Sequence, residues 1–467
     1  MPPAVSNTAA PDGWGSELRP MLALAWPLVV AQLAQSAMHT TDVVMLGRLG
    51  PDFLAGGSLA VSFLLLFLVS GMGVIGAVAP LVAQARGARR MKAVRPIVRQ
   101  GLWAAIALAA LMLPVVLNLR TIFGWLRQDP HITQFSAQFM HIAAWSLLPV
   151  FGIVVLRSLL SAFAATRVIL AVTLLGVSLN AVLAYGFVFG HLGLPQLGLR
   201  GAPTATLIAN VFMFMLLLVY VLRQRRFRRL HILYRFTLPD WPRFREIFRI
   251  GLPIGCTLLA ESGLFTAAAL MMGWLGSDEV AAHAIALQCA SIAFMVPMGL
   301  GSAAAVRVGL AFGRGDHAGV GRAGWTALAA GTAFMACTCL LFLTAGPWLV
   351  SLFLDPLIDA RPSMLAAGFL IVAGIFQLVD GAQVVAASVL RGLNDTAVPM
   401  VLALGGYWLV GLPTAYVLGF IAGWRGVGIW IGLAIALAVV AVVLVARFAL
   451  RERWGLVHYR DCNVNEK

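Results

Sequence analysis

Long apolar stretches, each broken by glycine, proline or arginine, follow one another along nearly the whole chain. A bilayer core about 30 Å thick takes about 20 apolar residues in helical form to cross. Reading the stretches and their breakers predicts spans at 20–46, 53–83, 98–118, 134–156, 168–190 and 202–222. A second set follows at 246–273, 280–306, 323–346, 362–390, 397–421 and 427–449. Apolar positions come in runs and not in alternation, which sets aside a transmembrane β-barrel. The pattern predicts an all-α polytopic membrane protein with twelve transmembrane helices.

Composition supports a lipid solvent. Of 467 residues, 61% are hydrophobic and only 11% charged, with a mean hydropathy of +0.92. A soluble chain carries charge on about a quarter of its residues, so this one lacks the polar groups to cover a water-facing surface. The net charge of +15 would suggest nucleic acid in a soluble protein. Here the basic residues, nearly all arginine, fall between the spans and read as topology signals and headgroup contacts. No nucleic-acid partner is expected; the bilayer is.

With the N-terminus in the cytoplasm, 27 Lys and Arg fall on the inner side and 6 on the outer: Arg48, Arg120, Arg127, Arg200, Arg361 and Arg425. The loops are short, so the positive-inside rule applies. Both termini are expected to be cytoplasmic, in a bacterial-type inner membrane. Residues 1–16 are polar with no apolar core, unlike a cleavable signal peptide, and read as a cytoplasmic tail. The domain reading is an N-lobe at 17–222, a basic linker at 223–245, a C-lobe at 246–450 and a C-terminal tail at 451–467. Five cysteines, Cys256, Cys289, Cys337, Cys339 and Cys462, form no disulfide framework and read as small buried hydrophobes.

The two sets of six resemble each other. At a constant offset of 226, Pro27 matches Pro253, Met45 matches Met271 and Gly47 matches Gly273. The same offset pairs Gly50 with Gly276, Asp52 with Asp278, Gly73 with Gly299 and Gly87 with Gly313. LGRLGPDFLA and MGWLGSDEVA form the densest stretch. Six is even, so both copies enter from one side. The repeat predicts two pseudo-symmetric six-helix bundles about an axis along the membrane normal, placed to rock around a central cavity.

Three acids lie well inside the apolar spans: Asp42, Glu261 and Asp380. Carrying a carboxylate there costs about 2.5–3.5 kcal/mol even by insertion scales. Each needs a partner, a proton or a water-filled cavity. No basic residue stands at comparable depth in the predicted spans, so the positive charge is expected from solution, as H⁺, Na⁺ or a cationic substrate. Burial favours the protonated form of a carboxyl, and a hard cation would want several oxygens. His39, Thr40 and Thr41 neighbour Asp42, Asn180 is the one strongly polar side chain in the middle of the fifth span, and Thr204 and Thr206 lie early in the sixth. Phe265, Met271, Met272, Phe294, Met295 and Met298 offer aromatic and thioether faces; those that are not core could line an adaptable cavity for amphipathic cations.

These residues carry a recognisable pattern. GLPIGCTLLAE at 251–261, AHAIALQCASIAFMVPMGLGSAAAVRVG at 282–309, DGAQVVAASVLRGLNDT at 380–396 and TTDVVMLGRLG ahead of Asp52 stand in matching order. On them the chain resembles the multidrug and toxic compound extrusion (MATE) family, in its NorM-like branch, over nearly everything after the first 16 residues. The resemblance implies an antiporter with two six-helix lobes, coupled through intramembrane acids on the first, seventh and tenth helices, where Asp42, Glu261 and Asp380 stand. It also implies a role for an asparagine on the fifth helix, matching Asn180. Two positions depart from relatives: Ala184, one turn after Asn180, replaces an acid of another branch, and Phe376, one turn before Asp380, replaces a tyrosine.

The function expected is secondary active multidrug efflux, exporting cationic drugs or metabolites in exchange for H⁺ or Na⁺ by alternating access, as a monomer and without a cofactor. Asp42, Asn180, Glu261 and Asp380 are the coupling residues, with Na⁺ a possible occupant at Glu261 and Asp380 or at Asp42 and Asn180. The substrate cavity is expected at Asp42, Phe265, Gln288, Met295, Phe376 and Gln377. A lipid-linked precursor flippase is the alternative, though the interior is acidic where a pyrophosphate carrier would be basic. A membrane-embedded enzyme fits less well, since the sequence has no HExxH, GxSxG or P-loop pattern and His39, His141 and His283 are scattered. In RGLNDT, Arg391 and Asp395 are expected to cap or anchor a helix end.

Overall fold

The computed structural model describes residues 14–457 except 126, 192, 233, 235 and 355–358. Cys462, most of the N-terminal tail and the C-terminal tail from 458 lie outside the described residues. Twelve helices are long and apolar enough to cross a membrane. They are α1 (Glu17–Gly47), α2 (Pro51–Gly87), α3 (Met91–Leu117), α4 (Pro130–Ala162), α5 (Thr166–Phe189) and α6 (Gly198–Arg223). The second set is α7 (Trp241–Leu275), α8 (Ser277–Gly313), α9 (His317–Ser351), α10 (Ala360–Gly392), α11 (Ala397–Ile421) and α12 (Arg425–Ala449). Their outer faces are apolar: Leu111, Leu270, Leu409 and Val442 each expose more than 60% of their surface, which only lipid accommodates in a stretch this large. That outer face also explains two cysteines. Cys289 and Cys339 are buried as expected, whereas Cys256 and Cys337 are exposed, because an apolar residue on a membrane helix can face lipid as readily as core.

Local chemistry sets the boundaries. Asp240 caps α7 by accepting the Arg243 backbone N–H, and Asp316 caps α9 by accepting that of Gly319, each satisfying a donor the first helical turn leaves free. The α1–α2 and α7–α8 turns are tight and run through Gly50 (φ 134) and Gly276 (φ 135). A side chain is strained in that backbone region, which is why the repeat keeps glycine at both. α11 departs from a regular helix, with π-helical turns at Gly405–Gly411 and Val417–Ile421.

The repeat reappears as contact symmetry. A Cβ on Gly87 would press into the carbonyl of Leu310, and one on Gly313 into that of Gln84. Those pairs, 87 with 313 and 84 with 310, share the offset of 226. Likewise Gly73 lies against Gly255 and Gly299 against Val29. The bundles therefore meet backbone to backbone across a pseudo-twofold axis, α2 on α7 and α8, and α8 on α1 and α2. By chain direction the 84–87 and 310–313 contacts lie at the membrane face that carries both termini, here called the near end. Gln84 strengthens them, donating to the Gly392 carbonyl at 2.9 Å and accepting from Asn394 Nδ2 at 2.8 Å. Arg307 of α8 pairs with Glu17 of α1 at the same end.

Asp395, just beyond α10, accepts Nε and Nη2 of Arg447 on α12 at 2.6 and 3.1 Å, with both side chains nearly buried. Removing one partner leaves an uncompensated charge, a loss of about 3 kcal/mol. Asp395→Ala should lower the melting temperature of the purified protein, and Asp395→Ala with Arg447→Ala should lower it by less than the two single losses summed. Additive losses would show the pair to be uncoupled.

Candidate functional site: two acidic clusters at the bundle boundary

Asp42 stands five residues before the end of α1 and is buried. Thr206 of α6 donates its hydroxyl to Asp42 Oδ2 at 2.7 Å, and Asn180 of α5 donates Nδ2 to Thr206 Oγ1 at 3.0 Å. The threonine thus serves both neighbours, and Asp42 Oδ1 and Asn180 Oδ1 are left buried without a hydrogen-bond partner. Two unpartnered, hard oxygens on side chains that share Thr206 suit a proton or a small cation. Thr204 belongs elsewhere, donating to the Arg200 carbonyl, and Thr40 and Thr41 bond back to their own helix. His39 is exposed.

The second cluster lines a cleft of about 420 Å³ between the bundles. Ser62, Leu65 and Leu66 of α2 form one wall. Glu261 and Phe265 of α7, Phe294 of α8, and Phe376 and Asp380 of α10 are on the others. The carboxylates are close enough for their charges to interact. The aromatic rings meet edge to face, Phe265 on Phe376 at 6.1 Å. Aromatic faces and paired acids together suit an amphipathic cation.

Of the cavity residues expected from sequence, Phe265 and Phe376 line this cleft, and the others do not. Asp42 belongs to the first cluster. Gln377 is fully buried and donates Nε2 to the Ala290 carbonyl at 3.0 Å, tying α10 to α8. Gln288 is exposed and Met295 half-buried, both away from the lining. Helical rotation explains the difference: Phe376 and Asp380 are four apart and share a face, while Gln377 is turned from it by about 100°. His283 is buried against Trp430, with ring centroids 5.5 Å apart, and His141 is exposed.

Two side chains, Tyr407 and Arg391, join this region in a way the sequence reading did not anticipate, and a third, Arg157, lies apart from it against α1. Tyr407 of α11 is fully buried, its hydroxyl accepting from Gln383 Nε2 at 2.8 Å. It lies in the electrostatic field of both Glu261 and Asp380. A phenol therefore stands on α11, with phenylalanine at 376 on α10. Arg391 also acts electrostatically on Glu261 and Tyr407, so it is not confined to anchoring a helix end. Arg391 stands eleven residues past Asp380, at the near end of α10, and so not at the depth of the acids. Arg157, counted with a loop, is a correction: α4 runs on to Ala162, and Arg157 reaches inward to Gln32 and Gln35 of α1. Long arginine side chains move their charge several ångströms from the backbone position that a sequence scan records. The one available signal was the length of the apolar run, which continues past Arg157 to Ala165.

The MatE family model matches residues 27–186 and 253–417, beginning on Pro27 and Pro253, the first pair of the repeat. The chain is similar to a probable multidrug resistance protein NorM of Mesorhizobium japonicum, at 44% identity over 96% of this chain and 97% of that one. It is 46% identical to a protein of the same name from Brucella suis, over 93% of each, and 40% identical to the multidrug resistance protein NorM of Burkholderia vietnamiensis, over 95% and 96%. Among solved structures it resembles the eukaryotic MATE transporter AtDTX14, with a TM-score of 0.86 over 96% of this chain and 98% of that one at 20% identity. It also resembles a MOP superfamily transporter from Pyrococcus furiosus, with a TM-score of 0.85 over 94% and 96% at 18% identity. At such identities these likenesses carry the fold, and the family rests on the sequence matches: this polytopic membrane protein belongs to the MatE family, in its NorM-like branch.

Proposed function

We propose that the protein is a secondary active efflux antiporter that exports amphipathic organic cations, drugs among them, in exchange for H⁺ or Na⁺. The observation that carries this reading is the pair Glu261 and Asp380 on the wall of an aromatic cleft between two bundles. A cationic substrate and a coupling ion compete for the same negative charge, so loading one releases the other. Their competition is the coupling free energy, and no nucleotide is required. The chain's relatives are named as multidrug resistance proteins, in keeping with a cleft whose walls are adaptable and apolar.

We place the near end at the cytoplasm, with both termini there, in a bacterial-type inner membrane; the arginine distribution supports the orientation. The cleft then lies toward the outside, while glycine contacts close the cytoplasmic end. That is the arrangement of a transporter waiting to discharge substrate outward and receive its coupling ion. Asp42, Asn180 and Thr206 form a second ion-binding locus within the first bundle. The protein works as a monomer, because each chain already contains both bundles.

The test is ethidium movement in proteoliposomes of purified protein, under an imposed Na⁺ gradient and separately under an imposed pH gradient. Movement driven by at least one, in the direction opposite to the ion, is expected. No movement under either overturns the antiport reading.

A further inference from the structure

Arg86, near the end of α2, reaches the main chain of α4, its Nη1 donating to the Ala162 carbonyl. Its guanidinium lies over the Phe163 ring at 5.0 Å, and that of Arg226, from the linker after α6, lies over the same ring at 5.2 Å. Phe163 is buried, so one fixed ring seats both charges. Arg314 completes the group from the other bundle: it follows Gly313, whose backbone packs on Gln84, two residues from Arg86. Arg226 and Arg314 both act electrostatically on Arg86. Three like charges are thus gathered at the near end, two on the first bundle and one on the second.

Among the described residues no carboxylate pairs with any of the three. The acids of this face are engaged elsewhere: Glu17 by Arg307, Glu246 by Arg243 and Asp395 by Arg447. Asp316, the nearest in sequence, caps α9 and faces Arg322. A guanidinium carries five N–H donors; Arg86 gives one to Ala162, and Arg226 and Arg314 are exposed. The cluster is held against its own repulsion and presents planar forks of donors that suit phosphate oxygens. An apolar groove adjoins it. Val221 and Leu222 of α6, with Phe227 and Ile232 of the linker, enclose about 190 Å³, and Arg228 and His231 share the lining. Phe227 borders groove and cluster alike, since its ring meets Phe163 edge to face at 5.4 Å. α2 and α4 end at Gly87 and Ala162, so both features lie at the level where headgroups meet acyl chains.

We propose that Arg86, Arg226 and Arg314 bind the phosphate of an anionic phospholipid, with an acyl chain of the same lipid along the Phe227 groove. Charge and apolar surface side by side fit a lipid; a free phosphate would leave the groove unused. Arg86 and Arg226 belong to the first bundle and Arg314 to the second. The phosphate therefore bridges the bundles only while the near end is closed, and the lipid favours that state by its differential affinity. The site takes no part in holding the exported molecule or the coupling ion, and it stands whichever ion that is.

The test uses the full chain, delipidated in detergent, with dioleoylphosphatidylglycerol, dioleoylphosphatidylcholine and inorganic phosphate as probes. Native mass spectrometry reads lipid affinity, and a melting curve reads the bridge. Phosphatidylglycerol should bind about tenfold more tightly than phosphatidylcholine, the scale of one charge-assisted hydrogen bond, and should raise the melting temperature. Arg226→Gln with Arg314→Gln, both at exposed positions, should remove the preference and the rise. Arg245→Gln with Arg249→Gln, exposed on α7 at the same face and outside the field acting on Arg86, removes the same charge. That control should keep the affinity for phosphatidylglycerol within about twofold of wild type. Equal affinity of the wild type for both lipids, or an equal loss in the control, would make this a diffuse basic face and overturn the proposal. Inorganic phosphate that stabilises the protein as well as phosphatidylglycerol does would overturn the lipid assignment in favour of a free anion. A melting temperature raised alike in wild type and in Arg226→Gln with Arg314→Gln would overturn the bridge.

Discussion

Asp380→Asn is expected to stop gradient-driven efflux, by about 100-fold or more, while raising the melting temperature. Asparagine matches aspartate in shape, so Asp380 can lose its charge without opening a hole beside Phe376 and Gln383. Two consequences follow from the same change. The cleft wall loses half of its negative charge, and with it the attraction that a cation or proton must exchange. A desolvated charge interaction of a few kcal/mol corresponds to about two orders of magnitude in occupancy. The fold, meanwhile, is relieved of a buried carboxylate that has a like charge, Glu261, as its neighbour. Asp380 Oδ1 has no hydrogen-bond partner to offset that cost. Activity bought at the expense of stability is the ordinary signature of a working acid. The measurement is a melting curve and a proteoliposome efflux rate on the same preparation. Lost efflux with a lowered melting temperature would make Asp380 structural, and retained efflux would remove it from the mechanism.

Gly313→Leu is expected to disable the protein by a different route. The Cβ alone drives into the Gln84 carbonyl, and a main-chain atom cannot turn aside as a side-chain end can. α8 and α2 must part, taking with them the Gln84 bonds to Gly392 and Asn394 at the same face. Overpacking costs about 1–3 kcal/mol where neighbours can adjust, and here the upper part of that range applies. Gly87→Leu, its repeat partner against Leu310 O, should act alike. Gly273→Ala is the control, since nothing lies within 4 Å of the added atom. Thermal unfolding and efflux should fall for the first two and stay near wild type for the third. Unchanged efflux in Gly313→Leu would show that the near-end contact is not needed in the transport cycle.

How much of this could be read from the chain depended on what the bilayer penalises. Asp42, Glu261 and Asp380 were visible because a carboxylate in an apolar run has no bland explanation at so high a cost. The twelve spans were visible for the same reason, and so was the glycine pairing, through Gly87 and Gly313. Meetings between side chains were less legible. Thr206 could be noted near the start of α6, yet its position between Asp42 and Asn180 is a matter of how α1, α5 and α6 pack. Tyr407 looked like one aromatic among many in an apolar stretch, and the π turn that aims it has no signature beyond Gly405 and Gly406. Arg157 and Arg391 were hidden by the rule that finds loops, since an arginine at the edge of a run is ordinarily a topology marker. Gln288, Met295 and Gln377 lie off the lining of this cleft through rotation: a polar or adaptable residue is easy to place on a helix and hard to place on a given side of it.

The π turns of α11 bear on how Tyr407 can move. Each holds one more residue than the surrounding helix would use, like a spare link held in a chain. Such a link can be passed along one peptide at a time, with a single hydrogen bond changing partner at each step. Every residue it passes is turned by about 100° around the axis. α11 can therefore re-aim its phenol relative to the acids of α7 and α10 while its ends, at Ala397 and Ile421, stay where they are. A rotation of that kind needs no hinge and no unfolded intermediate, and Gly406 and Gly411, packed against Val440 and Ala436 of α12, would leave those contacts as they turn.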